Sequence, residues 1–132
     1  QVLGDEFLRQ WGLTTKQWLL LATLEVRLDG SATLGEAARA YGTSHQNVKR
    51  IAQSLQESGF LDLTRDPDDR RVLRLNITGK NREFWEAHNA EALDFIHGLF
   101  GNLNDGETQE FTRLVVKLVQ QTEKLQKVAS SE

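Results

Sequence analysis

The sequence predicts a mainly α protein carrying one small β-hairpin, and three observations lead there. Four segments open with a capping side chain three residues ahead of Glu or Gln: Thr14 with Gln17, Thr33 with Glu36, Thr43 with Gln46, and Asn104 with Glu107. Such a pair satisfies backbone N–H groups that a helix start otherwise leaves without partners, so each marks a helix N-terminus. Between these caps the apolar residues recur with a period near 3.6, and after Gly59 the period becomes 2.

The elements follow in order. From Thr14 to about Leu28 runs a helix bearing Trp18, Leu19, Leu20, Leu21, Ala22, Leu24, Val26 and Leu28, apolar enough around its circumference to be expected in the interior. Leu34, Ala37, Ala38 and Tyr41 then recur at i, i+3, i+4 and i+7, and Gly42 stands where a helix ends in a left-handed residue. A third helix, beginning near Thr43, repeats the pattern with Val48, Ile51, Ala52 and Leu55 and is closed by Gly59. Leu61 and Leu63, then Leu73, Leu75 and Ile77, alternate with polar residues around a turn at Asp66 to Arg70, which makes a β-hairpin. Thr78 caps a long helix with Phe84, Trp85, Leu93, Phe95, Ile96 and Leu99 on its apolar side. After a break near Gly98 to Asn102, a last helix from about Asp105 carries Phe111, Leu114, Val115, Leu118 and Leu125.

Composition narrows the function classes. The 132 residues suffice for one domain with a real core, and 39% hydrophobic with 27% charged residues fits a globular chain. With no Cys, disulfides, thiolate metal sites and cysteine nucleophiles are excluded within the chain. No apolar run approaches the roughly 18 residues of a membrane span, and no basic-then-apolar leader opens the sequence, so a cytoplasmic protein without a membrane partner is expected. The first residue is Gln and Met is absent, so the natural start is expected to lie upstream. His88 and His97 lie nine apart on one helix; although Asp94 lies between them, no tight ligand cluster emerges, and neither a metal nor another cofactor is expected. No phosphate loop or nucleophile–base pair is visible, so no enzyme activity is expected.

The formal net charge of −3 hides an asymmetry: residues 39–82 carry nine Lys or Arg against five acids, whereas the remainder carries seven against fourteen. A basic middle inside an acidic chain points to a localised anion-binding surface. If Val48, Ile51, Ala52 and Leu55 of the third helix point inward, Gln46, Arg50 and Gln53 point nearly opposite, flanked by Asn47 and Lys49. Amide and guanidinium side chains pair bidentately with adenine and guanine edges, and Lys meets phosphate. The plain alternative is a solvated helix face.

The preceding helix weighs against that alternative. Ala38, Gly42, Val48 and Ile51 have helix-turn-helix spacing: the small Ala admits close helix approach, Gly permits the turn, and the branched residues lock the second helix. Followed directly by a hairpin with arginines at its tip, the arrangement reads as a winged helix-turn-helix. Thr43, Ser44, His45, Gln46, Asn47, Lys49, Arg50 and Gln53 of the helix, with Arg70, Arg71 and Arg74 of the wing, are then the DNA-binding candidates.

Residues 69–78, DRRVLRLNIT, fit the Asp-x-Arg-x5-Leu-Thr signature of the MarR family of bacterial transcription regulators, with Ile77 in place of Leu. The resemblance extends to LTTKQWLLLATL at 13–24, TSHQNVKRIAQSLQESGFL at 43–61 and LNDGETQEFTRLVVKL at 103–118, and so covers nearly the whole chain. It implies that Arg71 enters the DNA minor groove, that Asp69 organises the wing tip, and that Arg70 makes a second groove or phosphate contact. A narrow minor groove concentrates negative potential, which favours an inserted Arg. A hairpin in which Asp69 and Arg71 pair only with each other is the structural alternative.

Two departures stand out: Asn81 occupies a place where most relatives have Gly, and the first helix is short. The resemblance further implies a homodimeric repressor on a pseudo-palindromic operator in double-stranded DNA. Residues 14–77 would form the winged helix-turn-helix region, and residues 1–13 and 78–132 a helical dimerisation layer. Many relatives bind small aromatic or anionic effectors; Trp11, Trp18, Trp85 and His88 are the pocket candidates, against the alternative that aromatics at helical spacing are core. The rival from another class is a winged-helix protein-interaction module that meets an acidic partner through the same stripe.

Overall fold

Three of the four expected capping pairs form as read in the computed structural model, which describes residues 2–131; Gln1 and Glu132, the outer ends of the expected dimerisation layer, lie outside the described residues. Gln17 N donates to Thr14 Oγ1 at 3.2 Å and Thr14 N to Gln17 Oε1 at 2.9 Å, and the Thr33/Glu36 and Asn104/Glu107 pairs reciprocate likewise. The elements are α1 (Val2–Leu8), a 3-10 turn (Arg9–Trp11), α2 (Thr15–Arg27), β1 (Ser31–Thr33), α3 (Leu34–Tyr41), α4 (His45–Glu57), β2 (Leu61–Arg65), β3 (Leu73–Ile77), α5 (Gly79–Leu99) and α6 (Asp105–Ser130). The mainly helical class with a small wing is therefore correct.

The fourth cap sits one residue later than expected. Gly42 adopts φ +87° and its N–H, with that of Thr43, bonds to Ala38 O, so both residues are occupied in closing α3. Ser44 becomes the N-cap of α4, its hydroxyl accepting from Asn47 N at 3.2 Å, while Thr43 Oγ1 accepts from the Asn47 side chain at 3.1 Å.

The chain divides into two compact units, one ending at Asn89 and the other beginning at Ala90, with the division falling inside α5. In the first unit Leu8, Leu13, Leu20, Leu24, Val48, Leu55, Leu61 and Leu75 form the interior, each 4% exposed or less. α2 contributes one face only: Leu20, Leu21 and Leu24 are buried, whereas Leu19 is 43% and Val26 80% exposed, so the expectation that its whole circumference is interior does not hold within this chain. The hairpin is also more than a hairpin. β1 pairs antiparallel with β3, Ala32 opposite Leu75, giving a three-stranded sheet ordered β1-β3-β2. Asp29 and Gly30, at φ +52° and +81°, turn the chain from α2 into β1. Alternation along β3 places Leu73, Leu75 and Ile77 on the core side and Arg74 and Asn76 on the outer face.

α5 starts as expected at Thr78, whose hydroxyl accepts from Asn81 N and donates to Gly59 O. Asn81 is the one buried polar residue among the described residues, at 4% exposure, and its amide oxygen accepts from Trp85 Nε1 at 3.0 Å. That bond fills the place where a Gly would leave the indole N–H without an acceptor. In the second unit Phe100 lies 6.3 Å from Phe111, and α6 buries none of its residues: Phe111, Leu114, Val115, Leu118 and Leu125 are 40–68% exposed.

Candidate nucleic-acid interface

The helix pair is built as its spacing demands. Ala38 is 2% exposed where α3 meets its neighbours, and Val48, Ile51, Ala52 and Leu55 turn the inner face of α4 into the core. Against Gly35 of α3 lies the His45 imidazole, in ordinary contact with the space a Cβ would fill. Gln17 of α2 donates to Ser54 Oγ at 2.9 Å, fixing the rotation of α4 about its axis. With the inner face anchored at 0–8% exposure, Gln46, Lys49, Arg50 and Gln53 project outward, all exposed. Thirteen residues give α4 a length of about 20 Å, which suits a major groove.

The remaining residues expected on this helix divide by task. Ser44 and Asn47 are held in capping, the Asn47 side chain by Thr43, and both Thr43 and Asn47 are half-buried. Ser44 and His45 are exposed at the first turn, where unpaired N–H groups and the helix dipole favour an anion.

At the wing, Asp69 and Arg71 form a bidentate pair, Arg71 Nε to Oδ1 at 3.0 Å and Nη2 to Oδ2 at 3.1 Å, with Arg71 N also donating to Oδ1. The guanidinium holds the Asp69 carboxyl below the usual carboxylate range, and the carboxylate in turn raises the Arg71 guanidinium. The Arg71 side chain is nevertheless 90% exposed. Arg70 is exposed and forms no ion pair among the described residues.

Arg74, expected as a further DNA contact, lies half-buried on the outer face of the sheet and pairs with Asp66 at 3.2 Å. Asp66, expected at the start of the hairpin turn, stands directly before Pro67 and does open it. Its Oδ1 accepts from the N–H groups of Asp68 and Asp69 at 2.8 and 3.1 Å, and these bonds, ahead of Arg74, lower its carboxyl from the ordinary value.

Away from the reading surface, Trp11, Trp85 and His88 come together with Phe7 and Phe84. Trp11 makes edge contacts to Phe7, Phe84 and Trp85 at 5.0–6.2 Å and lies 4.9 Å from the His88 ring. Trp18 packs against the hydrophobic core.

A helix-turn-helix followed by a three-stranded sheet with an arginine-tipped loop, and an amide-rich outward face on its second helix, define a winged helix-turn-helix protein. The MarR family model matches residues 11–72, the span from the 3-10 turn through the wing tip. The transcriptional repressor MprA of Escherichia coli is 26% identical over 122 residues, covering 92% of this chain and 69% of that protein. Escherichia coli MarR, solved as a cysteine-to-serine mutant complexed with operator DNA, has the same fold, with a TM-score of 0.75 at 21% identity over 89% of this chain and 83% of that one. BpsR of Bordetella bronchiseptica, whose DNA binding is regulated by 6-hydroxynicotinic acid, gives 0.74 at 23% identity over 89% and 83%. Together these matches support a MarR-type winged-helix transcriptional regulator.

Proposed function

We propose that the protein is a homodimeric, cytoplasmic bacterial regulator that binds a pseudo-palindromic operator and represses by occupying the promoter. The observation that carries this reading is the exposed outward face of α4, Gln46, Lys49, Arg50 and Gln53, together with a wing tip whose Arg70 and Arg71 are also exposed. In this reading Gln46, Arg50 and Gln53 meet base edges in the major groove and Lys49 meets phosphate. The first turn of α4, entered through Thr43 and Ser44, receives a phosphate at its His45 end, since the Thr43 and Asn47 N–H groups are already bonded to Ala38 O and Ser44 Oγ. Arg71 enters the minor groove, Asp69 holds it ready, and Arg70 takes the neighbouring phosphate. Residues 14–77 do the reading and residues 1–13 with 78–132 form the dimer layer, setting half-sites roughly 34 to 36 Å apart. The protein catalyses no reaction.

Arg71→Ala tests the wing. It weakens operator binding across sequences and lowers the slope of log affinity against log salt by about one unit, whereas substitutions at Gln46 or Arg50 relax base preference by roughly 1 to 3 kcal/mol. Fluorescence anisotropy on fragments selected from genomic DNA reads both quantities. Wild-type affinity for Arg71→Ala at several salt concentrations sinks the wing assignment. Binding that ignores salt, or no fragment selected at all, favours a protein-interaction module instead.

The aromatic cluster supports a second element of this reading, a small aromatic or anionic effector bound at Trp11, Trp85 and His88; Trp18, packed against the core, makes no ring contact with them among the described residues. Tryptophan fluorescence titrated with phenolic and pyridine carboxylic acids, with and without operator, is the measurement. No change in emission or in DNA affinity across the set removes the effector.

A further inference from the structure

We infer that Arg74 is a positioning residue of the wing rather than a DNA contact: through the Asp66 carboxylate it fixes the turn that presents Arg70 and Arg71. This rests on the DNA-reading role proposed for the wing. Asp66 is the hub of that turn. Its backbone N–H donates to Val72 O at 2.8 Å, closing the loop, while Oδ1 gathers the N–H groups of Asp68 and Asp69. Oδ2, facing the other way, accepts from Arg74 Nη1 at 3.2 Å.

Arg74 in turn is anchored across the sheet. Its Nη2 reaches Ser31 Oγ at 3.4 Å; Ser31 Oγ donates to Asn76 Oδ1 at 2.7 Å, and Asn76 Nδ2 donates to Thr64 Oγ1 at 3.1 Å. All three strands are thereby tied together on the outer face, and the guanidinium spans from β1 to the turn. Exposure separates the two arginines: the Arg71 side chain is 90% exposed, while Arg74 and Asp66 are 30% and 17% exposed. A cation with its donors aimed at protein acceptors is spent on geometry, and a pre-ordered loop loses less conformational entropy when it meets a ligand.

The pair makes a prediction that charge alone reverses. Asp66→Asn keeps an oxygen for the Asp68 and Asp69 amides but removes a negative charge close to the phosphates, so simple electrostatics expects tighter DNA binding. Positioning expects the opposite: Asp66→Asn and Arg74→Gln each weaken operator binding roughly three- to tenfold, and the double variant is no worse than either single. Arg74→Gln leaves the salt slope at the wild-type value, because no phosphate contact is lost. Tighter binding by Asp66→Asn, additive losses in the double variant, or a slope reduced by about one in Arg74→Gln overturns the inference. Amide hydrogen exchange in the free full-length protein supplies a readout without DNA: Arg74→Gln accelerates exchange at Asp68 and Asp69 while the global melting temperature stays unchanged. Unaltered exchange there also overturns it. If wild-type protein selects no DNA, the functional reading fails, and the exchange measurement decides the positioning role by itself.

Discussion

Arg71 and Arg74 lie three residues apart, both paired to an Asp, one pair at the tip of the wing and the other at its base. The tip pair is local, formed between residues two apart, so its geometry travels with the loop. Because the Asp69 and Asp66 carboxyls both sit below the ordinary value of 3.8, each binds its proton less readily in the folded wing than in the unfolded chain. The sign follows: their contribution to wing order is complete above 3.8 and is lost as pH falls through the lower folded values. Exchange protection of the Asp68, Asp69 and Arg71 amides is therefore expected to be flat from pH 7 to 5 and to collapse only in stronger acid. Loss of protection already between pH 6 and 5 contradicts the pairing. Both pairs lie in the wing, outside the hydrophobic interior, so this is an effect on the loop and not on global stability.

At the scale of elements, α3, its turn and α4 form a unit whose parts have separable tasks. Gly42 supplies the left-handed residue, Ala38 the close approach, and Ser44 the cap. Thr43 and Ser44 are both plausible caps by residue type, and the two make different predictions. Ser44→Ala removes the acceptor for Asn47 N and costs about 1 kcal/mol, whereas Thr43→Ala loses only a bond to the Asn47 side chain and costs about half as much or less. Urea denaturation of the two variants settles the order, and equal or reversed losses place the cap at Thr43. The wing sheet shows the same division of labour: Leu75 ties β3 into the core, while Arg74 and Asn76 on the opposite side tie the strands to one another.

For the whole molecule, the unburied helices are the outstanding feature. Along α6, Phe111, Leu114, Val115, Leu118 and Leu125 keep one stripe at i, i+3, i+4, i+7 and i+14, and Val116 and Val119 add a second side, all at least 40% exposed. A stripe of that length is a large apolar patch for a lone soluble chain. We expect a homodimer in which this stripe is buried, in keeping with the symmetric operator proposed above. Leu118→Glu then dissociates the dimer in sedimentation velocity and weakens operator binding, while the far-UV spectrum of the first unit's helices is retained. A wild-type protein that sediments as a monomer at tens of micromolar removes the dimer layer. The charge pattern fits the same division, since the basic residues concentrate in 39–82 and the acidic excess lies in the flanks.

The sequence by itself determined what is local or periodic. Three capping pairs, the left-handed Gly42, the change of period after Gly59 and the outward set Gln46, Lys49, Arg50 and Gln53 each lie within about a dozen residues of chain, where spacing decides geometry. Tertiary structure alone decided the rest. β1 is three residues long, too short for a period, and exists because Ser31–Thr33 can pair with β3 some forty residues later. α2 reads as apolar all round, yet the neighbours available to it cover only Leu20, Leu21 and Leu24. Arg74 reads as one more cation of a basic wing, and only the meeting of Ser31, Asp66 and Asn76 across separate segments shows where its donors go. Periodicity records which face a residue occupies; which partner waits on that face depends on chain closure over long separations, and that is set by packing.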